Sequence, residues 1–395
     1  MTSTEPGVRP ALDAEAAFAQ ARAVIDANAR TFGVRYPGDT TVDQVYRLRP
    51  ASAVAPEGGN DGWTTSFWPG QLWLAYELTG DEDYRDLGLA HVASFADRVE
   101  REVGLATHDL GFLYTLACVA PSRLLGDERA ERAARAAADH LMARFLEPAG
   151  IIQAWGDLTN PAERGRTIID SLMNVPLLRW AGQRTGEARY VDAADRHVAQ
   201  LRTHIVRADD TTFHTFHWDP ETGEPLRGTT QQGYADDSCW ARGQAWGIYG
   251  FAIDARLTGS AESLATAVRV AEYFLDHLPA DRVASWDLVF SDGSGQPRDS
   301  SAAAIAACGL LELAALVSQR SAADAARYVQ EAHAMLASLA ADYTGADVPG
   351  SNALILHGVY DWPKSIGVDE GTLWGDYFYL EALVRVLRPR WQPYW

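Results

Sequence analysis

Two aspartates stand out because each precedes an apolar segment, where a carboxyl group can be made to keep its proton. Asp109 lies before the run LGFLY, and Asp170 lies in RTIIDSLMN between two isoleucines and Ser171. Desolvation in an apolar wall raises the pKa of a carboxyl group, so we expect Asp170 to act as an acid near neutral pH. An aspartate before an apolar run is also a common helix N-cap, and this alternative stays open, above all for Asp109.

Tryptophans recur near the same predicted helix starts. The segment WTTSFWPGQLW contains Trp68, the loop IIQAWGD contains Trp155, and SCWARGQAW contains Arg242 and Trp246. Indole faces are flat apolar surfaces on which a pyranose ring can stack, and paired carboxylates serve glycoside cleavage. The pattern therefore predicts a sugar-processing site. Alternatives are a structural role for the tryptophans in a large core and, for Arg242, an ion pair with Asp236 or Asp237.

The segment FHTFHW places His214 and His217 in alternation with aromatic residues, which is typical of a half-buried strand. Two histidines with no third ligand in view are a weak zinc signal, and either can be a hydrogen-bonded core histidine. The cysteines Cys118, Cys239 and Cys308 lie far apart in apolar contexts. We therefore predict neither a metal nor a cofactor.

Charge and composition exclude several classes of protein. The 395 residues include 34 Lys+Arg and 53 Asp+Glu, a net charge of −19, which argues against nucleic-acid binding. Hydrophobic residues make up 47% and charged residues 22%, as in globular proteins. No run of 18 apolar residues predicts a membrane span, and no secretory signal is recognised at the N-terminus. The three widely spaced cysteines in apolar contexts indicate a reducing compartment, so we expect a cytoplasmic protein.

Short glycine turns recur along the chain and predict helical hairpins. Gly80, Gly126, Gly186 and Gly259 each follow an apolar helical segment and precede an acidic or polar residue. The helices predicted around these turns cover residues 11–30, 65–79, 83–101, 110–120, 127–146, 168–184, 188–205, 240–257, 261–278, 300–318, 322–342 and 374–388.

The predicted helices alternate between segments that are apolar on all sides and amphipathic ones. This alternation indicates an inner ring within an outer ring: an all-α (α/α)6 barrel of six hairpins, with little β structure, near 150–157 and 211–218. An open α-solenoid is the alternative. We expect one catalytic domain over residues 1–395, with residues 1–10 flexible. The long connections 146–168, 206–239, 279–299 and 344–373 all lead into inner helices and so predict a single mouth.

The segments FHWDPETGEPLRGTTQQGYADDSCWARGQAWGIYGF, HDLGFLY, TIIDSLMN and LWGDYFYLEAL closely resemble the unsaturated glucuronyl hydrolases of glycoside hydrolase family 88. The resemblance runs from about Trp63 to Leu383 and implies the same barrel fold. It implies that Asp170 is the catalytic acid and base and that Asp109 is a second essential carboxylate. The residues that it implies for substrate binding are Trp68, Trp155, His214, Gln232, Arg242 and Trp246.

The activity implied by this resemblance is release of the 4,5-unsaturated uronic acid from the non-reducing end of lyase-generated saccharides. Its C4=C5 bond is a vinyl ether, which Asp170 would protonate at C4 before water attacks C5. Arg242, His214 and helix N-termini are the candidates for balancing the substrate carboxylate. The expected partner is an unsaturated uronyl di- or oligosaccharide; the sequence does not indicate an oligomeric state.

Three alternatives differ in chemistry or specificity. An unsaturated rhamnogalacturonyl hydrolase would share the reaction, a sugar epimerase would need paired histidines on opposite faces of the sugar, and a silent binding barrel would lack turnover. The implied sulfate-binding element of some family members, Ser-x-Ser-x-Lys, is not intact here, where the chain reads Trp362-Pro363-Lys364-Ser365. Lys364 and Ser365 remain candidates for contacting an anion on the leaving sugar.

Overall fold

The computed structural model describes residues 11–51 and 59–395, which are mainly helical; the predicted flexible segment 1–10 lies outside this part. The helices are α1 (Ala14–Phe32), α2 (Phe67–Thr79), α3 (Glu82–Glu100), α4 (Leu110–Tyr114), α5 (Ala120–Leu125), α6 (Glu128–Met142), α7 (Val175–Thr185), α8 (Ala188–Gln200), α9 (Ala241–Thr258), α10 (Ala261–Asp276), α11 (Ser300–Val317), α12 (Ala322–Asp342) and α13 (Leu373–Leu387). A π-turn, Thr115–Val119, joins α4 to α5, and a 3-10 turn, Ile169–Met173, precedes α7.

The predicted glycine turns close the inner helices. Gly80, Gly126, Gly186 and Gly259 adopt φ values of 72°, 69°, 76° and 73°, in the left-handed region that glycine takes without steric cost. After three of these turns, the side chains of Asp81, Asp127 and Ser260 accept a backbone N–H of the next helix. Chain reversal and helix initiation are therefore encoded within three residues.

The apolar helices form a closed inner ring, so the barrel prediction is confirmed and the open solenoid is wrong. Helix α13 packs against both α11 and α2, which joins the last inner helix to the first. One expectation needs correction: α13 is not followed by an outer helix. Its outer neighbour is α1, from the other end of the chain. The ring is thus closed by a contact between helices that are distant in sequence.

Short antiparallel strands lie in the long connections. Strands β1 (Phe145–Leu146) and β2 (Ile151–Ile152) pair, as do β3 (Arg166–Ile168), β4 (Thr215–Trp218) and β5 (Pro225–Thr229), in that order. The last connection forms a hairpin of β6 (Gly358–Asp361) and β7 (Ile366–Glu370), which the sequence did not predict. The β3–β4 pairing ties two connections together at one end of the barrel.

Buried apolar side chains from Ala17 to Trp395 form one hydrophobic cluster. Helix α11 is long and apolar enough to cross a membrane by length and composition, but 83% of it is buried among its neighbours. Its hydropathy is therefore accounted for by its place in the inner ring. The three cysteines are free and buried within the same core.

Candidate active site

A cavity of about 320 Å³ opens at the N-terminal ends of the inner helices. Its walls combine aromatic side chains, two carboxylates, two histidines and two cations. The lining residues are Trp63, His108, Asp109, Trp155, Ile168, Asp170, His214, Gln231, Gln232, Trp240, Arg242, Trp246, Tyr360 and Lys364. The volume lies at the lower end of the range of small-molecule sites, about 300–1,000 Å³.

The two aspartates face each other across His108. The His108 Nε2 atom lies 3.3 Å from Asp109 Oδ1 and 3.5 Å from Asp170 Oδ1. Asp109 also accepts a hydrogen bond of 2.7 Å from Thr107 Oγ1. By contrast, Asp170 Oδ1 accepts no hydrogen bond from the described part of the chain. The two carboxylates therefore have unequal environments although they belong to one cluster.

This inequality separates the pKa values of the two carboxyl groups. Burial, followed by repulsion from Asp109, raises the pKa of Asp170 to about 7, against the opposing effect of His108. Burial also acts to raise the pKa of Asp109, but His108 and the Thr107 hydrogen bond outweigh it and bring that pKa below its ordinary value. Asp170 is thus suited to deliver a proton, while Asp109 remains ionised.

The two carboxylates favour the charged form of the histidine between them. Burial acts to lower the pKa of His108, but the carboxylates of Asp109 and Asp170 together raise it above its ordinary value. No role was predicted for His108 from the sequence, although its position beside Asp109 in HDLGF was a signal.

A ligand atom from each of His108, Asp109 and Asp170 lies within 4.8 Å of the others, a spacing that a metal ion could use. Such an ion would require ionised Asp170, whose burial favours a proton.

Local packing explains how the two aspartates meet. The amide of Phe112, in the first turn of α4, donates a 2.8 Å hydrogen bond to Asn174 Oδ1, just after the turn that contains Asp170. That turn is supported from behind, because His197 Nε2 lies 2.8 Å from Ser171 Oγ, which donates to the Ile168 carbonyl. Both aspartates are therefore positioned by rigid backbone.

Arg242 lies in the opposite wall and is already well paired. Its guanidinium donates to Asp299 Oδ2 at 2.8 Å and to the backbone carbonyls of Val359 and Tyr360. The suggested pairing with Asp236 or Asp237 is wrong, since the partner is the aspartate that caps α11. Arg242 also donates to Gln232 Oε1 at 3.1 Å, which leaves the amide nitrogen of Gln232 as a donor. The positive charge faces the cavity, but most of its N–H groups are occupied.

His214 does not supply the positive charge expected of it, and N-terminal amides of two inner helices already have protein acceptors. Burial, followed by repulsion from Arg242 and Lys364, lowers the pKa of His214 to about 3, so the ring is neutral. The Ala241 amide at the start of α9 donates to the Trp286 carbonyl, as the Phe112 amide does to Asn174. Protein acceptors satisfy these amides because the connecting loops fold back over the helix ends.

Comparison with known proteins decides the family. The sequence profile of glycosyl hydrolase family 88 matches residues 41–342. The chain belongs to this family. It is 46% identical to the unsaturated chondroitin disaccharide hydrolase of Streptococcus pyogenes serotype M1, over 91% of this chain and 87% of that one. It is 43% identical to the unsaturated glucuronyl hydrolase of Bacillus sp. strain GL1, over 94% and 96% of the two chains.

Solved structures of the family share the fold. The unsaturated glucuronyl hydrolase of Streptococcus agalactiae superposes with a TM-score of 0.92 at 42% identity, covering 98% of this chain and 95% of that one. An asparagine variant of it, complexed with dGlcA-GalNAc6S, gives a TM-score of 0.84 at 40% identity, covering 97% and 93% of the chains. The resemblance to family 88 seen in the sequence is confirmed, as is the prediction of a glycosidase.

The structure of this family 88 enzyme corrects the role predicted for one tryptophan. Trp155 and Trp246 line the cavity as predicted, but Trp68 is fully buried and does not. Its indole packs edge-on against Phe32 with ring centroids 5.3 Å apart, because the side chain leaves α2 on the face toward α1. Trp63, five residues earlier and before the helix begins, occupies the cavity wall instead.

The last long connection contributes Lys364 but not Ser365 to the site of the family 88 enzyme. Lys364 lines the cavity mouth and forms a 2.6 Å ion pair with Asp361, whereas Ser365 lies exposed in the β6–β7 turn. The same hairpin brings in Tyr360, whose hydroxyl accepts a 2.9 Å hydrogen bond from Trp63 Nε1. Neither Tyr360 nor this contact had a sequence signal, because the residues are far apart in the chain.

Proposed function

We propose that this chain hydrolyses unsaturated chondroitin disaccharides by releasing the 4,5-unsaturated uronic acid from their non-reducing end. The decisive observation is the Asp170 carboxyl group, with a pKa raised to about 7, in a cavity walled by tryptophans. The relatives named for this reaction cover most of the chain and support the substrate.

The first step is proton transfer to the sugar. The protonated Asp170 carboxyl gives its proton to C4, and the C4=C5 electron pair forms the new C–H bond. Positive charge then develops at C5 and the ring oxygen as an oxocarbenium ion. The ionised Asp109 nearby stabilises this charge, and the raised pKa keeps a proton available near neutral pH.

Water completes the hydration. As its oxygen bonds to C5, one of its protons passes to the Asp170 carboxylate, which restores the starting acid. The resulting hemiketal opens by cleavage of the bond between C5 and the ring oxygen, giving a ketone at C5. The hemiacetal left at C1 collapses to an aldehyde and expels the leaving saccharide. One acid–base residue is therefore sufficient, and the spacing rule for two-carboxylate glycosidases does not apply.

Uncharged donors hold the substrate carboxylate in this proposal. Gln232, oriented by Arg242, offers its amide nitrogen. The Nδ1 atom of neutral His214 lies 2.6 Å from Thr215 Oγ1 and accepts from this hydroxyl in the proposal, so the N–H of the other ring nitrogen, Nε2, is the donor to the substrate. The positive charge of Arg242 attracts the substrate carboxylate at a distance. A direct two-point contact is not expected, because the guanidinium already donates to Asp299 and to two backbone carbonyls.

We further propose that the enzyme accepts both sulfated and unsulfated leaving sugars. Lys364 is the cation at the mouth, but its ion pair with Asp361 weakens its pull on an incoming sulfate. Lys364→Ala should lower the ratio of kcat/KM for the 6-sulfated over the unsulfated disaccharide by about 2- to 5-fold, and Lys364→Arg should retain it. A ratio unchanged in Lys364→Ala would remove Lys364 from sulfate recognition.

The function is tested by incubating the protein with unsaturated chondroitin disaccharides and following loss of the ultraviolet absorbance of the double bond. In D2O the initial product should contain one deuterium at C4. Asp170→Asn should reduce turnover by about 10²- to 10⁴-fold, while Asp97→Asn, on the outer helix α3, should not. A wild-type protein inert on chondroitin disaccharides, or active only on unsaturated rhamnogalacturonyl substrates, would contradict the proposal.

We also propose a cytoplasmic location, as expected from the cysteine usage. The thiols of Cys118, Cys239 and Cys308 are all free and buried, which suits a reducing compartment. Fractionation of the producing cells checks this directly, and activity recovered only outside the cytoplasm would contradict it.

A further inference from the structure

An aromatic cluster lies beside the cavity mouth without lining the cavity. It consists of Tyr234, Trp286, Phe290 and Trp362, and is called here the rim cluster. The indoles of Trp286 and Trp362 stack with centroids 5.4 Å apart and planes 24° apart. Tyr234 packs edge-on against Phe290 at 5.1 Å, and Phe290 lies 5.6 Å from Trp286. Trp286 is thus the buried centre of the cluster.

Two members of the rim cluster face solvent. Tyr234 is 62% exposed and Trp362 is 36% exposed. Because Trp286 covers one face of the Trp362 indole, its opposite face and edge account for the exposure. Their contacts with Trp286 and Phe290 make them parts of one contiguous aromatic surface, and such patches mark binding sites where single exposed residues do not.

The rim cluster is continuous with the catalytic cavity. Tyr234 follows the cavity-lining Gln232 by two residues, and Trp362 precedes the cavity-lining Lys364 by two. Two residues of chain span at most about 7 Å, so these aromatics lie next to the cavity wall. Both supporting loops are also anchored: the Tyr234 amide donates to buried Asp287 at 2.9 Å, and the Lys364 ammonium pairs with buried Asp361. The chain beside both exposed aromatic residues is therefore held in place.

We propose that the rim cluster binds the second sugar of the leaving saccharide when the substrate is longer than a disaccharide. This inference rests on the proposed function. The cavity, at about 320 Å³, is small for more than the unsaturated sugar and its neighbour, so a longer chain must continue across the rim. A pyranose presents an apolar face that stacks on Trp362, while Tyr234 adds a hydroxyl donor. A protein partner seated here would instead block the mouth beside Gln231 and Lys364.

The test compares an unsaturated tetrasaccharide with the disaccharide of the same unsulfated chondroitin. The measured quantity is the ratio of kcat/KM for the tetrasaccharide over that for the disaccharide. Trp362→Ala and Tyr234→Ala should each lower this ratio by about 3- to 10-fold, as expected for loss of one stacking contact. Trp362→Phe should keep the ratio within about 2-fold of wild type, since an aromatic face remains.

Leu125→Ala is the matched control, because Leu125 is a similarly exposed apolar residue, 38% accessible, at the opposite end of the barrel. Its ratio should equal that of wild type. An unchanged ratio in both alanine variants, with the disaccharide still hydrolysed, would overturn the role of the rim cluster and leave the proposed function standing. A change of oligomeric state in the variants without a change of ratio would overturn it in favour of a contact between chains. Failure of wild type on the disaccharide would instead defeat the function itself.

Discussion

Gly111 packs directly onto Asn174, and a Cβ atom at residue 111 would lie 2.1 Å from Asn174 Cα. This approach sets the first turn of α4 against the segment that follows Asp170. Asp109 precedes α4, so the same contact determines how far the two carboxylates lie apart. Glycine is needed here for space between two backbones.

Replacement of Gly111 by alanine should damage both stability and catalysis. The added methyl group must displace backbone, which costs about 1–3 kcal/mol in the free energy of unfolding. Because it moves Asp109 relative to Asp170, kcat/KM on the unsaturated disaccharide should fall by at least about 10-fold. Gly247→Ala is the control, since its Cβ would approach no closer than 3.1 Å to Val270 Cγ1. Equal behaviour of the two variants in turnover and denaturant unfolding would argue against this account.

The two carboxylates should contribute to stability with opposite signs. The pKa of Asp170 is raised to about 7, so between about pH 4 and 7 the folded state binds more protons there, and stability falls as pH rises. Asp170→Asn should therefore stabilise the protein at pH 8, by about 1–3 kcal/mol, with no gain near pH 4.

Asp109→Asn should have the opposite effect on stability. The pKa of Asp109 is lowered, so its ionised form stabilises the folded state above the ordinary aspartate pKa, and this contribution is lost as pH falls. The asparagine variant should thus be less stable than wild type at pH 8. Urea unfolding of both variants at pH 4, 6 and 8 measures these differences; shifts of the same sign at pH 8 would contradict the assignment.

The alkaline limb of the kcat/KM profile should respond to His108. Activity requires protonated Asp170 and should decline as pH rises through about 7. The His108 imidazolium lowers the pKa of Asp170, so His108→Gln should move the limb to higher pH, even if the maximal rate falls. Profiles of wild type and variant on the unsaturated disaccharide decide this, and a limb that moves to lower pH would show that Asp170 is not the group observed.

Trp63 and Trp68 should separate binding from folding. Trp63→Ala removes a cavity wall and the hydrogen bond to Tyr360, so kcat/KM should fall by about 10- to 100-fold, in addition to the stability lost with its packing against Trp374. Trp68→Phe should lower the free energy of unfolding by about 1–3 kcal/mol through lost packing and leave kcat/KM within about 3-fold. The same substrate assay and denaturant curves test both, and a larger catalytic loss in Trp68→Phe would reverse the assignment.

Local patterns predicted most elements of this fold, because their causes are local. Glycine turns with acidic or polar residues after them mark where Gly80 and Gly126 reverse the chain, and all-round apolarity marks inner helices such as α11. The β6–β7 hairpin escaped prediction since its pairing depends on a turn with left-handed Ser365 rather than on an apolar alternation. Trp68 was misassigned because the face of a helix that meets the cavity is set by its neighbours.

The ring of hairpins, the mouth at the inner helix N-termini and the acidic pair of Asp170 and Asp109 could all be predicted from the amino-acid sequence. The behaviour of these groups depends on how the chain folds. His108 lies between the two carboxylates, and Arg242 forms an ion pair with Asp299. His214 is neutral because it is buried near Arg242 and Lys364. These arrangements bring together segments that are far apart in the chain. Charge state depends on burial and on neighbours within a few ångströms, and those distances exist only once the ring has closed.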